Sequence, residues 1–265
     1  MQNIDTARIS GGGQRRSLSV KGFTLAEVLV TLGIIGIVAA MTLPALVQNY
    51  QKTVIKNQFK KSYNIVQNAY KMAEAQLGFT PQCSYGYDWV GNKCLEYDKN
   101  GNCIKYDGSG NGATANQSAD CSVLKEQLKK TYKIVKICEK NALKQNCIPV
   151  YKGNDTVYKE SHDTDDDYDA NVSTSGCSGW RESPIHNNRE AWDLADGTII
   201  LWYSNMLFAL DVNGMKGPNK WGHDLFPFRL YRPKSGGLKV EAGGCDIIEK
   251  GGVSTKEMLK NLYNR

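Results

Sequence analysis

Histidine is scarce in this chain, and no residue pattern typical of an enzyme is present. The three histidines, His162, His186 and His223, are far apart and fall in polar segments. No serine or cysteine stands in a recognisable nucleophile motif, and isolated Ser, His and Asp residues are too common to indicate a catalytic triad. The sequence therefore favours a structural or binding protein over an enzyme.

Cysteine is absent from the first 82 residues and then occurs eight times. The eight residues are Cys83, Cys94, Cys103, Cys121, Cys138, Cys147, Cys177 and Cys245. They form no Cys-x-x-Cys pair and no histidine follows at zinc-finger spacing, which argues against structural zinc. Disulfide bonds are the expected use, because they persist in proteins exported from the cytoplasm.

The cysteine spacing favours some pairings but does not decide among the many connectivities that eight cysteines allow. Short loops favour two local pairs, Cys138 with Cys147 and two of Cys83, Cys94 and Cys103. A bond between Cys177 and Cys245 would join distant ends of a globular domain.

Charge is nearly absent from a long apolar run between Phe23 and Val47, where Glu27 is the only ionisable side chain. At about 1.5 Å per residue, a helix of this length crosses a hydrocarbon core of about 30 Å. An unpaired carboxylate in lipid costs roughly 3 kcal/mol on insertion scales. The run therefore predicts a membrane-inserted helix in which Glu27 has a partner or a function.

The start of this run carries a specific motif. Gly22 is followed by Phe23, and Glu27 is the fifth residue of the run. Helix-weakening residues occur further along, at Gly33, Gly36 and Pro44. The pattern resembles the prepilin processing and methylation signature of type IV pilins and of the pseudopilins of type II secretion.

The resemblance implies a processing pathway. A membrane-embedded prepilin peptidase would cut between Gly22 and Phe23 and methylate the new amine of Phe23, so that residues 1–22 form a leader. Without the leader the formal net charge falls from +6 to about +3, too small to indicate a nucleic-acid partner. Glu27 would neutralise the amine of a neighbouring subunit during assembly; pairing with its own amine or favouring the helix N-terminus is the intrachain alternative.

An ordinary secretory signal and a plain signal anchor are the alternatives to this interpretation. The apolar run is too long for a secretory signal and lacks a good small-residue cleavage site. A signal anchor leaves Glu27 unexplained. Basic residues flank the run on both sides, at Arg8, Arg15, Arg16 and Lys21 before it and at Lys52, Lys56, Lys60 and Lys61 after it. The positive-inside rule is therefore nearly balanced, and the orientation follows from the resemblance.

The helix is expected to continue beyond the membrane, with residues 23–47 as its transmembrane and assembly half and residues 48–77 as its amphipathic half. Apolar residues recur there at intervals of three and four, at Ile55, Phe59, Tyr63, Val66, Tyr70, Ala73 and Leu77. Gly78 is a candidate C-cap, and Pro81 prevents continuation. This stripe predicts packing of the helix against a sheet.

The rest of the chain divides into a cysteine-containing loop region, residues 78–121, and a globular β-rich domain, residues 122–265. Ser122 is expected to cap a short helix, and the aspartate-rich segment 162–169 to form a solvated loop. Strands are predicted at 134–138, 198–203, 206–212 and 228–232. A long helix followed by antiparallel strands predicts an α+β, pilin-like fold, with the helix laid across the C-terminal antiparallel sheet.

The polar loop 211–224 is the best candidate for a binding site. Its side chains Asp211, Asn213 and Asp224 offer the oxygen ligands that Ca²⁺ takes. The loop is not an EF-hand, because Met215 occupies a ligand position and Gly214 comes too early. The loop resembles the calcium-binding region of major pseudopilins only in place and character. A turn whose aspartates cap backbone amides is the alternative.

The resemblance implies a structural subunit of a type IV pilus or of a type II secretion pseudopilus. Its expected partners are other subunits, the prepilin peptidase, an inner-membrane assembly platform and the lipid bilayer. Its expected location is the inner membrane, crossed once with the domain outside the cytoplasm, and then the pilus or the periplasmic pseudopilus. A membrane-anchored binding or adhesion protein that never polymerises is the alternative.

Overall fold

The computed structural model describes residues 22, 24–87, 94–97, 103–106, 115–162, 172–233, 236–243 and 245–263. The chain divides into two compact units, Met1–Tyr50 and Gln51–Arg265. The helices are α1 (Leu25–Leu77), α2 (Ala115–Thr131), α3 (Asn154–His162), α4 (Glu182–Asn187) and α5 (Thr255–Tyr263). The strands are β1 (Gly86–Tyr87), β2 (Cys94–Tyr97), β3 (Cys103–Tyr106), β4 (Ile134–Cys138), β5 (Ser173–Ser175), β6 (Glu190–Leu194), β7 (Ile199–Ser204), β8 (Leu207–Asp211), β9 (Leu225–Arg232), β10 (Lys239–Ala242) and β11 (Asp246–Ile248).

The first helix, α1, ends where its sequence predicts. Gly78 has a φ of +74°, a conformation that glycine adopts without steric strain, and its N–H donates to the Glu74 carbonyl at 3.0 Å. Pro81 follows and cannot continue the helix. The predicted C-cap at Gly78 is therefore confirmed.

Within the described residues, seven strands form the main sheet. Six follow the order β1-β9-β8-β7-β6-β4, and β10 also pairs with β9. The pairings among β4, β6, β7, β8, β9 and β10 are antiparallel, and only the two-residue strand β1 runs parallel to its neighbour. The strands predicted at 198–203 and 206–212 are present as β7 and β8, which pair as an antiparallel hairpin. The α+β, pilin-like fold class, a long N-terminal helix followed by an antiparallel sheet, is confirmed.

The second half of α1 and the helix α2 lie in one apolar core with one face of the sheet. Phe59 is fully buried and makes an edge-on contact with Phe226 of β9, with ring centroids 4.8 Å apart. Burying a side chain of this size contributes roughly 1.5–3 kcal/mol. Polar groups of α1 also hold the edge strand β10, because the Gln67 side chain accepts the Val240 N–H at 2.8 Å and the Tyr63 hydroxyl donates to the Val240 carbonyl at 3.0 Å.

A second apolar core covers the opposite face of the same sheet. Strand β7 shows the division, since Ile200 and Trp202 lie in the first core and Ile199 and Leu201 in the second. Successive side chains of a strand point to opposite faces, so a sheet covered on both faces has strands that are apolar at every position. Trp221 of the 211–224 loop lies in this second core, as does Tyr151, which contacts Asp211.

Three disulfide bonds lie in the described part of the chain. They join Cys83 to Cys121, Cys138 to Cys147 and Cys177 to Cys245, with Cα separations of 4.8, 6.3 and 5.0 Å. Cys138–Cys147 is the local pair that the short loop favours, and Cys177–Cys245 is the long-range bond that would join distant ends of the domain. Cys94 and Cys103 lie on the paired strands β2 and β3, and their side chains are outside the described residues.

The prediction that Ser122 caps a helix is wrong, because α2 begins earlier, at Ala115, and Ser122 lies within it. Polar residues occupy the first turns of α2, so the apolar period gives no signal there. Cys121 is buried on the core side of α2, where its bond to Cys83 ties the helix to the end of α1. Most of the predicted loop 162–169 lies outside the described residues; its first residue, His162, ends α3.

Candidate functional site

Helix α1 begins with reciprocal hydrogen bonds between Thr24 and Glu27. The Glu27 backbone N–H donates to Thr24 Oγ1 at 3.2 Å, and the Thr24 backbone N–H donates to Glu27 Oε2 at 2.8 Å. The Thr24 hydroxyl donates to the same carboxylate oxygen at 2.9 Å. This arrangement is a capping box, which satisfies N–H groups that a helix N-terminus leaves without partners. The carboxylate in the apolar run therefore has hydrogen-bond partners in its own chain.

The capping box uses only one oxygen of the Glu27 carboxylate. Within the described residues Glu27 Oε1 accepts no hydrogen bond, and the side chain is exposed. Phe23, the predicted methylation site, lies outside the described residues. Oε1 is thus open to a donor or cation from outside this part of the chain.

A sequence signal for the capping box exists in the pattern Thr-x-x-Glu ahead of an apolar run. The prediction from the sequence places Glu27 at the helix N-terminus but gives Thr24 no role in capping. Gly22, the predicted cleavage position, is exposed, and a Cβ added there would meet no atom within 4 Å. Nothing in the described fold therefore requires glycine at this position.

The described side chains in the apolar part of α1 are exposed, except for the half-buried Ala39. It contains an 18-residue window with a mean hydropathy of 2.3 of which no residue is buried, so length and composition make α1 a candidate membrane span. The hydroxyls of Thr31 and Thr42 donate to the Val28 and Val38 carbonyls at 3.0 and 2.9 Å. Internal bonding of this kind is what polar groups require in a medium without water.

The 211–224 loop brings two buried carboxylates together. Asp211 Oδ1 accepts the backbone N–H groups of Asn213 and Gly214 at 3.1 and 2.7 Å, and Oδ2 accepts the Tyr151 hydroxyl at 2.7 Å. Burial, and secondly the negative charge of Asp224, raise the pKa of Asp211 to about 8. At neutral pH the Asp211 carboxyl therefore holds a proton in the folded protein.

Asp224 lies fully buried at the other end of this loop. Its oxygens accept the backbone N–H groups of Asn219 and Lys220 at 2.8 and 2.7 Å. Burial raises the pKa of Asp224, and these hydrogen bonds, together with one from the Asn213 side chain, oppose the rise. Both aspartates thus cap backbone amides, as the turn interpretation expects.

The loop also offers oxygens to a cation. Asn213 Oδ1 is buried and has no hydrogen-bond partner within the described residues. Together with the carboxylates of Asp211 and Asp224 it provides three side chains with oxygen ligands, fewer than the six to eight oxygens that Ca²⁺ takes. Within the described residues no group of three or more His, Cys, Asp or Glu side chains is placed to hold a metal ion. Three side chains are therefore too few to complete a calcium shell by themselves.

The three histidines lie in separate environments. His186 is buried and its Nε2 accepts the Tyr151 N–H at 3.2 Å, whereas His223 Nε2 lies 3.1 Å from the Lys250 carbonyl. His162 stacks on Tyr158. Each contact is structural, and the described histidines do not share a site.

Comparison with known protein families identifies one match. The family model described as the prokaryotic N-terminal methylation motif matches residues 18–43, the range that contains Gly22, Phe23 and Glu27. Searches of curated proteins and of solved structures found no match. The chain thus carries the N-terminal methylation signature of type IV pilins and pseudopilins. The exposed apolar helix and the α+β domain that follows it are consistent with this signature.

Proposed function

We propose that the chain is a structural filament subunit, either of a type IV pilus or of a type II secretion pseudopilus. The observation that carries this proposal is the methylation motif at residues 18–43, placed at the start of an apolar helix with no buried residue in its most apolar window. Such a helix needs an apolar environment, which lipid supplies before assembly and other copies of the helix supply in a filament. Surface filaments would identify a pilus, and filaments confined to the periplasm a pseudopilus.

The proposal includes cleavage between Gly22 and Phe23. The open surroundings of Gly22 support cleavage there, because neither packing nor a turn in the described fold requires glycine at this position. Recognition by the peptidase would explain the small residue. In cells that have the prepilin peptidase, the intact mass of the membrane form should correspond to residues 23–265 with a methylated amine. Gly22→Leu should leave the precursor uncut, and Gly36→Ala, which changes a glycine away from the cleavage position, should be cut normally. An intact Met1 in the wild-type protein would overturn the proposal.

Glu27 is proposed to act in assembly through its second carboxylate oxygen. The capping box holds Oε2 and orients the side chain, so that Oε1 can meet the methylated ammonium of Phe23 of a neighbouring copy. In lipid such a pair has a stronger attraction than in water, and removal of one partner leaves the other desolvated, at a cost of several kcal/mol.

A second candidate is a membrane-anchored binding protein that never polymerises. The capping box favours it to the extent that Glu27 already has a use within its own chain. The two candidates differ in one observable, because only the filament subunit should be found in sheared or extracted filaments.

A calcium ion in the 211–224 loop is a further part of the proposal. It rests on the buried Asn213 Oδ1 that has no described partner and on the two neighbouring carboxyl groups of Asp211 and Asp224. Calcium binding would displace the proton that Asp211 holds at neutral pH. Backbone carbonyls or water would have to complete the coordination shell.

A further inference from the structure

A row of lysines follows the apolar part of α1. Lys52, Lys56 and Lys60 recur at every fourth residue, which places them on one face of the helix. All three are exposed. No acidic residue occurs in α1 between Glu27 and Glu74, so nothing on the helix itself offsets their charge. We refer to Lys52, Lys56 and Lys60 as the lysine row.

The lysine row makes no ion pair with the described part of the domain. Its members form no ion pair with any described residue, in contrast to the adjacent Lys61, which pairs with Asp196 at 3.4 Å. The helix packs on the domain through other residues, since Phe59, Ser62 and Val66 are buried. The row is therefore a set of three like charges without a partner in the described part of the chain.

We propose that the lysine row binds the anionic headgroups of the bilayer in which the apolar part of α1 is inserted. This inference rests on the proposed membrane anchoring. The charge is complementary, and the row is tethered to the bilayer because Lys52 follows Val47, the last residue of the apolar run, by little more than one helical turn.

The expected strength follows from the electrostatics of membrane surfaces. A lysine close to an anionic surface gains enough attraction to reduce its free population about fivefold, the equivalent of about 1 kcal/mol. The attraction decays over a Debye length of about 8 Å at physiological salt. Because the members of the row follow the span at increasing separations along α1, Lys52 should be held most strongly and Lys60 least.

The first test measures lysine reactivity in the full chain, reconstituted in nanodiscs of phosphatidylcholine alone or with one third phosphatidylglycerol. Brief acylation followed by mass spectrometry reports each lysine. Lys52 should react about fivefold more slowly in the anionic discs, Lys56 and Lys60 progressively less so, and 1 M NaCl should remove the difference. Lys140 and Lys144, exposed lysines of the domain, should react equally in both discs.

The second test does not depend on the reactivity of the lysines. The full chain is extracted from a bilayer of phosphatidylglycerol and phosphatidylethanolamine, and the retained lipids are quantified. Wild type should be enriched in phosphatidylglycerol, and replacement of all three lysines of the row by Gln should remove the enrichment. A matched triple variant of Lys133, Lys140 and Lys144 to Gln loses the same charge and should retain it.

The outcomes separate this inference from the proposed function. A chain that fails to insert into either disc contradicts the membrane anchoring itself. Insertion with equal reactivity of the lysine row in both discs, or protection that develops only when subunits assemble, would overturn the inference and assign the row to solvent or to a neighbouring copy.

Discussion

Asp211→Asn should reduce the pH dependence of stability. The folded protein holds a proton on Asp211 up to about pH 8, because burial and the charge of Asp224 raise its pKa. In the unfolded chain the carboxyl returns to its ordinary pKa of 3.8. Between these values the folded state binds one proton more than the unfolded state, so the free energy of unfolding falls as the pH rises, by about 1.4 kcal/mol per pH unit.

The variant keeps the same hydrogen-bond partners, with the direction of the bond to Tyr151 reversed. An asparagine oxygen can accept the N–H groups of Asn213 and Gly214 that Asp211 Oδ1 accepts, and its amide nitrogen can donate to the Tyr151 hydroxyl. Asn therefore mimics the protonated aspartate and cannot ionise. We expect the variant to be more stable than wild type throughout this range, by a difference that grows from pH 5 to pH 8.

Denaturant unfolding of the full chain in detergent, followed by tryptophan fluorescence between pH 5 and pH 8, measures this difference. Asp155→Asn, a substitution at an exposed aspartate of α3, is the control and should keep the wild-type slope. If stability changed with pH equally in Asp211→Asn and in wild type, Asp211 would not be protonated in the folded protein.

The remaining predictions concern the disulfide bonds and the calcium proposal. Replacing Cys177 and Cys245 by alanine should cost about 4 kcal/mol and replacing Cys138 and Cys147 about 3 kcal/mol, because the first bond closes a separation of 68 residues and the second one of 9; chemical denaturation gives both values, and a reversed order would contradict the chain-entropy argument. Millimolar calcium should raise the melting temperature of wild type relative to chelator, and Asp224→Ala should abolish the rise; no shift in wild type would leave the loop as a hydrogen-bonded turn.

Local patterns, namely periodicity and residue type, determined the parts of the fold that the sequence could predict. The stripe from Ile55 to Leu77 faces the core because every third or fourth residue of a helix returns to the same side. Gly78 ends α1 because glycine tolerates a positive φ. Strands β7 and β8 could be predicted because they are rich in β-branched and aromatic residues.

Other elements had no local signal. Strand β6, Glu190–Leu194, mixes charged and apolar residues, and its place between β4 and β7 depends on contacts with distant strands. The bond between Cys83 and Cys121 requires α2 to pack beside the end of α1, which spacing along the chain does not reveal. The proximity of Asp211 to Tyr151 likewise follows from the second core, since the two residues come from separate segments.

The capping box separates two functions of Glu27. Glu27→Gln keeps an oxygen that can accept the Thr24 N–H but loses the charge, whereas Thr24→Ala removes the cap, at a cost of about 1 kcal/mol, and keeps the carboxylate. Helix capping alone would make Thr24→Ala the more damaging substitution. A charge contact between subunits would make Glu27→Gln the more damaging one.

Quantifying filaments sheared from cells that express only Glu27→Gln or only Thr24→Ala tests the central claim most directly. We expect both variants to insert into the membrane and to be cleaved after Gly22, with filaments absent for Glu27→Gln and retained for Thr24→Ala. Normal filaments from Glu27→Gln would contradict the assembly role of Glu27, and the absence of filaments or pseudopili from the wild type would leave the chain as a membrane-anchored domain.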